Sequence, residues 1–451
     1  MARQGVYSVN DIICAITEAV DLVSANQSSH HKKVAWLSRK IALEMKLGRS
    51  DIQDIVLASM AVDIFAFLYS ERDASNKIDR NDPRKRPYAI QGYELIKDFD
   101  PLAKAAEIIM AHHLGIYDAR AEIPVTSHII HLADSAVALF DKNKEILEQI
   151  PDVLAEISRE QNMFRKDVLA AFENIAHQEL LWMEAFSPLS YSKMIKRTPL
   201  PKEALDLNAL MSFVKIISNI IDFRNSSTAT HSSGVAAVAG ELAKMSGFSE
   251  RECMMMEIAG FLHDLGKLAI PNEILEKREA LNAEEFNIVK QHPYYTHAIL
   301  SKVKGFEHIA TWAAYHHERQ DGKGYPFRPQ GENFPELARI MAVADTFTAL
   351  TEDRPYRMGM GFEEATATMF AMAETGGIDD NTACLVIANF DLFNDIRKEA
   401  QEKTRKEYDA FIEAGRNDAL RNERRDGKTR PCYEGATLKR RCPGIVIMSR
   451  N

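Results

Sequence analysis

Histidine and aspartate residues recur in the second half of this 451-residue chain in an order that could hold metal ions. The seven candidate ligands are His231, His263, Asp264, His292, His316, His317 and Asp345. Five imidazoles and two carboxylates exceed the needs of one tetrahedral zinc ion, but they suit two octahedral first-row metal ions that share a bridging carboxylate and a bridging water. We therefore predict two divalent metal ions.

The residue types of the candidate ligands indicate which metal they would bind and how. Adjacent residues on a helix diverge by about 100°, so His263 and Asp264 would not normally serve one ion, whereas an aspartate placed between two ions can bridge them. Imidazole and carboxylate without thiolate favour iron or manganese over zinc, and other divalent ions remain open. The five cysteines of the chain show no CxxC spacing, which argues against a cysteine zinc site.

The elements that position these residues are predicted to be helices. Apolar residues recur at intervals of three and four, as in NALMSFVKIISNIIDF and MMMEIAGFLHDLGK, and alternating strand-like runs are scarce. Ser249 with Glu252 and Ser50 with Gln53 have the spacing of a capping box ahead of two such segments. The pattern predicts an all-α fold.

Several of the candidate ligands recur in the first half of the chain in the same order. His231 follows its counterpart by 201 residues and Asp345 follows its own by 211. The first-half counterparts, in the order of the chain, are His30, Asp63, His112, His113 and Asp134. We interpret this as an internal repeat of about 200 residues.

The repeat predicts the domain organisation. The first copy spans 5–190 and the second 203–400, and residues 401–451 form a helical extension and a basic tail. Three prolines between the copies mark the boundary.

Four segments of the second copy resemble the HD-GYP family of the HD superfamily of metal-dependent phosphohydrolases. They are HDLGK (263–267), QHP (291–293), HHERQDGKGYP (316–326) and VADTFTALTEDRPYR (343–357). The resemblance implies two tandem HD-type helical bundles, the second with the GYP loop. It assigns the seven residues above as metal ligands, with Asp264 as the bridge. Ser227 stands where members with a third metal carry a glutamate, so we expect a dinuclear site.

The family resemblance also implies a reaction, the hydrolysis of cyclic di-GMP or 3',3'-cyclic GMP-AMP to a linear dinucleotide or to mononucleotides. A phosphodiester is anionic and repels nucleophiles, whereas two metals can generate a bound hydroxide at neutral pH and bind a phosphate oxygen. Asp264 and Lys267 are the predicted catalytic residues. Lys267 lies one helical turn after His263 and could contact the phosphoryl oxygens or assist the leaving group.

Further substrate contacts are predicted outside the ligand set. Arg354 and Arg357 match positions where the family grips substrate phosphates, although ion pairing at a helix end explains them nearly as well. Tyr325 either lines the substrate pocket or anchors the loop in the core. Gly322 and Gly324 permit positive φ in a tight loop beside the metals.

The first copy lacks part of the predicted site. Val62 stands in place of the histidine of HD, Ala66 in place of Lys267 and Arg86 in place of His292. A site without two of its imidazoles and its lysine should not assemble a dinuclear centre. We therefore predict that this copy is a helical scaffold packed on the active one.

The composition of the chain limits its possible cellular locations and binding partners. A net charge of −9 argues against binding nucleic-acid polymers. No window approaches the ~18 apolar residues of a membrane span, and the N-terminus lacks the pattern of a signal peptide, so we expect a cytoplasmic protein that does not bind membranes. The resemblance allows a diguanylate cyclase-type partner or a homodimer.

Two other functions are compatible with a helical histidine and aspartate cage. One is a di-iron oxygenase of the HD superfamily, which the GYP loop and the basic residues disfavour. The other is a non-catalytic scaffold in cyclic-dinucleotide signalling, which the complete ligand set disfavours. The sequence leaves the base specificity, the metal and the product length open.

Overall fold

A computed structural model gives the architecture of the chain. The residues that it describes are 7–9, 11–15, 17, 30–70, 85–112, 123–187, 198, 204–223, 229–275, 277, 279–353 and 357–423. For residues 62–70, 85–89, 204, 272, 332 and 416–423 it describes the backbone alone. Val62, Asp63, Ala66 and Arg86 fall in these backbone-only ranges, and His113, Ser227 and Arg354 lie outside the described residues.

The all-α prediction is confirmed. Within the described ranges, the two strands are Tyr7–Ser8 (β1) and Ala204–Leu205 (β2), which pair antiparallel with Tyr7 opposite Leu205. The helices of the first half are α1 (His30–Glu44), α2 (Arg49–Ser70), α3 (Lys85–Ile96), α4 (Asp100–Ala111), α5 (Val125–Ala138), α6 (Ile146–Arg159), α7 (Lys166–Ala176) and α8 (Glu179–Phe186).

The second half holds the longer series of helices. They are α9 (Leu207–Asp222), α10 (His231–Met245), α11 (Glu250–Leu262), α12 (Asn272–Leu275), α13 (Ala283–Val289), α14 (His292–Leu300), α15 (Glu307–Ala314), α16 (Glu336–Thr351), α17 (Phe362–Glu374), α18 (Asp380–Ala388) and α19 (Phe390–Glu423). Short 3-10 turns lie at Gln161–Met163, Leu265–Ala269 and Gly331–Asn333.

Local capping chemistry explains where several helices begin. The capping box predicted before α11 is confirmed, since the Ser249 hydroxyl accepts from the Glu252 amide at 3.3 Å and the Ser249 amide donates to the Glu252 carboxylate at 2.9 Å. The predicted cap at Ser50 is wrong. Helix α2 begins one residue earlier, at Arg49, so Ser50 lies inside its first turn.

Small residues bring the central helices close together. A Cβ atom on Gly260 of α11 would lie 2.5 Å from the Cα atom of Ala236 on α10, so these helices touch backbone to backbone at that crossing. Helix α10 begins at His231, and the residue after α11 is His263. The close crossing therefore sets the distance between these two imidazoles.

The core is continuous across the two halves. The ring of Phe99, before α4, stacks on Phe213 of α9 with centroids 4.9 Å apart. The Gln91 side chain of α3 donates to the backbone carbonyl of Phe411 on α19 at 3.2 Å. The predicted domain boundaries stay a prediction. No helix among the described residues combines the length and the apolar character needed to span a bilayer.

Candidate metal centre

Helix ends and turns bring the seven candidate ligands together at one place in the second half, and we call this set the cage. Its members are His231, His263, Asp264, His292, His316, His317 and Asp345. Ligand atoms of His231, His263 and Asp264 lie within 4.8 Å of one another, and we call these residues the first cluster. Ligand atoms of His292, His316 and His317 do the same and form the second cluster.

Three cage histidines share one ring orientation. Nδ1 of His263, His292 and His316 lies 2.7 Å from the backbone carbonyl oxygen three residues earlier. Because a carbonyl oxygen only accepts, each Nδ1 carries a proton and each Nε2 is the nitrogen turned toward the cage. The Nε2 atoms of His292 and His316 are 3.1 Å apart, so two lone pairs face each other. A cation between them would turn this repulsion into two favourable contacts.

The second cluster is held in the neutral form that metal ligation requires. Burial lowers the pKa of His292 to about 3, and burial with the neighbouring His263 lowers the pKa of His316 to about 4. Burial and the adjacent His316 also hold the pKa of His317 well below its usual value. Neutral imidazoles in a dry pocket bind divalent cations without first having to release a proton.

Asp264 belongs to the first cluster and also faces the histidines of the second. Its Oδ2 atom is 3.2 Å from Nε2 of His263, and its Oδ1 atom is 3.5 Å from Nε2 of His292 and 4.0 Å from Nε2 of His316. The residue is only 4% exposed. Burial alone would raise its pKa, but the charges of His263 and Lys267 outweigh burial and hold the pKa well below the usual value. One ionised carboxylate thus presents an oxygen to each cluster.

Lys267 points into the same space. Its ammonium nitrogen lies 2.5 Å from Oδ2 of Asp264, and its side chain is 29% exposed. Burial would lower the pKa of Lys267, but the Asp264 carboxylate more than offsets this and raises the pKa. A protonated amine therefore stands at the edge of the cage, on the side that solvent reaches.

Two carboxylates favour the charged form of His231. Its Nε2 atom lies 3.1 Å from Asp345, and its Nδ1 atom lies 3.0 Å from Glu352. Burial would lower the pKa of His231, but the two carboxylates outweigh burial and raise the pKa to about 10. The proton on Nε2 occupies the place that a cation would take between His231 and Asp345, so metal binding there would release a proton.

A close backbone contact joins the first cluster to the second. A Cβ atom on Gly266 would lie 1.9 Å from the carbonyl oxygen of His292, so only glycine lets the turn at Leu265–Ala269 rest on the start of α14. The Thr296 hydroxyl accepts from the Gly266 amide and donates to the His263 carbonyl, both at 2.9 Å. These contacts fix the position of Asp264 relative to His292.

The start of α10 is anchored by a buried carboxylate. Asp222, at the end of α9, accepts from the Ser232 amide at 3.2 Å and from the Ser232 hydroxyl at 2.9 Å. Burial raises the pKa of Asp222 to about 7. Because Ser232 follows His231, these hydrogen bonds hold the helix end that carries the first ligand.

The GYP loop folds back over the second cluster. Glu318 accepts from the amides of Phe327 at 2.6 Å and Arg328 at 3.1 Å, which closes the loop. The Tyr325 ring lies 4.9 Å from the His317 ring, centroid to centroid. The structure thus places Tyr325 against a cage histidine, and its role toward substrate stays a prediction.

The structure describes one of the two predicted phosphate-binding arginines. Arg354 lies outside the described residues. The guanidinium of Arg357 donates to the backbone carbonyl of Ala349, in the last turns of α16, at 2.5 Å. This contact is a hydrogen bond to a helix end and not an ion pair, so both the ion-pairing alternative and the substrate role stay predictions.

The first half keeps fragments of the same geometry. Nε2 of His30 lies 2.8 Å from Asp134, which parallels the pair of His231 and Asp345. Nδ1 of His112 lies 2.5 Å from the carbonyl oxygen of Ile109, which parallels His316. The structure describes only the backbone of Asp63, and His113 lies outside the described residues.

Sequence reasoning missed several residues that support the cage. Glu352 lies seven residues after Asp345, a spacing that returns to the same face of a helix, and that periodicity was a signal for it. Thr296 and Gln401 have no comparable signal, because each meets its partner only through the packing of distant segments.

The fold and the site together define an HD-type helical domain, in which a buried set of histidines and aspartates is assembled from helix ends. The HD domain family model matches residues 215–382. The GYP loop at 316–326 lies within this match, and this part of the chain is similar to the HD-GYP family of the HD superfamily.

Comparisons with known proteins give relatives for most of the chain. It is 27% identical over 390 residues to 3'3'-cGAMP-specific phosphodiesterase 1 of Vibrio cholerae, covering 83% of this chain and 90% of that protein. It is 40% identical over 157 residues to the cyclic di-GMP phosphodiesterase response regulator RpfG of Xanthomonas campestris, covering 34% of this chain and 42% of that protein.

A solved structure shows the same fold. The crystal structure of the cyclic GMP-AMP specific phosphodiesterase V-cGAP3 of V. cholerae matches with a TM-score of 0.58 and 20% identity. The match covers 86% of this chain and 99% of that one. It therefore spans both halves, the first as well as the second.

Proposed function

We propose that this protein is a metal-dependent phosphodiesterase that hydrolyses cyclic dinucleotides. The observation that carries the proposal is Asp264, a buried carboxylate with one oxygen facing each histidine cluster and with Lys267 at 2.5 Å. When bound, two divalent cations would acidify a water molecule and withdraw negative charge from the phosphate. The donor set of imidazoles and carboxylates supports iron or manganese.

The cage residues would hold the two cations as two groups. His231, His263 and Asp345 would hold one cation, and His292, His316 and His317 the other, with Asp264 shared. Asp264 and Lys267 are the proposed catalytic residues.

Lys267 would act on the substrate rather than on a metal. In the reaction, water oxygen bonds to phosphorus, the bond from phosphorus to the ribose oxygen breaks, and that oxygen gains a proton. The Lys267 ammonium, protonated and reachable from solvent, can donate hydrogen bonds to the phosphoryl oxygens as negative charge grows. Arg354, Arg357 and Tyr325 are proposed as further substrate contacts.

The identity of the cyclic dinucleotide is a finer proposal. The relatives that match most of this chain carry names specific for 3'3'-cGAMP, whereas the cyclic di-GMP phosphodiesterase RpfG matches only 34% of it. This supports 3',3'-cyclic GMP-AMP as the first substrate and cyclic di-GMP as the second. A cytoplasmic location, a diguanylate cyclase-type partner and a homodimer stay predictions.

The test uses the full chain loaded with manganese or with iron. Each preparation is incubated with 3',3'-cyclic GMP-AMP, its 2',3' isomer, cyclic di-GMP and cyclic di-AMP, and the products are separated by chromatography. We expect linear dinucleotide or mononucleotides from 3',3'-cyclic GMP-AMP, and none from the Asp264→Ala variant. Oxygen consumption without ester cleavage would indicate an oxygenase. A protein that binds no metal and stays inactive would indicate a scaffold.

A further inference from the structure

Glu352, just after α16, is a buried carboxylate that the predicted ligand set does not include. It is 5% exposed, and its two oxygens lie 3.0 Å and 3.1 Å from Nδ1 of His231. Because a carboxylate only accepts, Nδ1 carries the proton of this hydrogen bond. That choice leaves Nε2, which faces Asp345, as the nitrogen available to a cation.

Glu352 is itself held by the long C-terminal helix α19. The Gln401 amide nitrogen donates to Glu352 at 3.0 Å, and the Gln401 amide oxygen accepts from Arg397 at 2.5 Å. Arg397 in turn donates to the Asn394 side chain at 2.8 Å. A chain of hydrogen bonds therefore runs along one face of α19 and ends on His231.

The residues around this series of hydrogen bonds are closely packed. A Cβ atom on Gly234 of α10 would lie 3.0 Å from the Gln401 amide nitrogen, 3.1 Å from Thr348 of α16 and 3.2 Å from Arg397. Three helices therefore meet at a glycine, one turn after His231. Buried polar side chains are costly unless they are paired, so this network fixes the relative position of the three helices.

We propose that Glu352 and Gln401 are positioning residues for His231, so that α19 takes part in building the metal centre. The proposal rests on the metal dependence proposed above. A carboxylate that accepts from the far nitrogen of a ligand histidine fixes the tautomer and the ring plane, and its loss typically weakens metal affinity by about 10–100-fold. Gln401 would act one step further out, by holding the carboxylate in place.

The test compares four variants of the full chain, Glu352→Ala, Glu352→Gln, Gln401→Ala and Thr404→Ala. Thr404 is the matched control because it lies one turn after Gln401 on α19, is equally buried at 8% exposure, and donates to the Ala400 carbonyl of its own helix at 3.2 Å. The readouts are manganese affinity by chelator competition, bound metal per chain, and circular dichroism to verify folding.

We expect Glu352→Ala to weaken the binding of one of two manganese ions by about 10–100-fold, and Gln401→Ala to weaken it by a smaller factor in the same direction. Glu352→Gln keeps an oxygen that can accept from His231, so it should recover part of the affinity. Thr404→Ala should bind manganese like the unaltered chain.

Two results would overturn the proposal. One is unchanged manganese affinity in folded Glu352→Ala or, where that variant does not fold, in folded Gln401→Ala. The other is an equal loss in Thr404→Ala, which would indicate general packing of α19. The metal readouts need no cyclic dinucleotide, so a chain that binds two manganese ions but cleaves none of these substrates would count against the proposed substrate alone.

Discussion

At the scale of single residues, Asp264 is the side chain whose removal should matter most. Its two oxygens face His263 and His292, so Asp264→Ala deletes the one carboxylate that both clusters share. We expect turnover of 3',3'-cyclic GMP-AMP to fall by about 10⁴-fold or more, as it does when a central catalytic group is lost. Product chromatography measures the turnover, and elemental analysis should find fewer than two metal ions per chain.

His112→Ala is the matched variant in the first half of the chain. His112 is buried and bonded to the Ile109 carbonyl as His316 is to its own helix, but it lies in the copy that we predict to be inactive. Turnover should change little. A loss approaching that of Asp264→Ala would contradict the assignment of the first half as a scaffold.

Lys267→Ala separates a substrate role from a metal role. The ammonium group contacts Asp264 and stands at the solvent side of the cage, so its loss should lower kcat by roughly 10²-fold, as for other single donors to a developing anion. Both metal ions should remain bound. Loss of a metal ion from Lys267→Ala would instead mean that the lysine mainly orients Asp264.

Whether a site residue could be predicted from the sequence depends on whether it lies in a short motif or meets its partner only through packing. The cage residues lie in short motifs whose spacing is visible in one chain. Glu352 and Gln401 are 49 residues apart and meet only because α16 and α19 pack together, so no local pattern predicts their hydrogen bond. Arg357 matched a motif, yet its guanidinium donates to the Ala349 carbonyl, a contact that depends on where α16 ends.

At the scale of elements, the contact between the Leu265–Ala269 turn and α14 decides how far apart the clusters lie. A methyl group on Gly266 would overlap the His292 carbonyl oxygen, since its Cβ would lie 1.9 Å away. Gly266→Ala should therefore push Asp264 away from His292, lower stability by about 1–3 kcal/mol and weaken the metal site. Thermal unfolding and manganese competition measure the two effects.

Gly322→Ala is the control, because it should lower stability by a similar amount without a steric overlap. Gly322 has a φ of +70° and nothing within 4 Å of an added Cβ, so the substitution should cost about 1–2 kcal/mol from backbone strain alone. Manganese affinity should be retained. Equal losses of affinity in Gly266→Ala and Gly322→Ala would show that reduced stability, and not the altered contact, weakens the site.

Helix boundaries show the limit of sequence reasoning at this scale. The Ser249 box sits where α11 begins because both hydrogen bonds of the box are made. The same spacing at Ser50 does not start α2, since the chain already turns into the helix at Arg49. A capping pattern predicts a helix nearby, and packing then selects its first residue.

At the scale of the whole molecule, the two halves form one packed body. Phe99 stacks on Phe213 across the halves, and Gln91 of α3 bonds to the Phe411 carbonyl of α19, the helix whose Gln401 reaches Glu352. The repeat was visible from the order of histidines and aspartates. This interface was not, because its residues have no common spacing and are paired only in the folded chain.

A continuous core predicts how metal binding changes unfolding. Manganese at about 100 times its dissociation constant should add about 2.7 kcal/mol to the free energy of unfolding, because it binds the folded cage and not the unfolded chain. Since the halves share a core, we expect a single calorimetric transition that moves up by a few degrees as a whole. His112→Ala should show the same shift, and Asp264→Ala should show little. Two transitions, of which only one responds to manganese, would mean that the halves unfold separately and that α19 does not couple them.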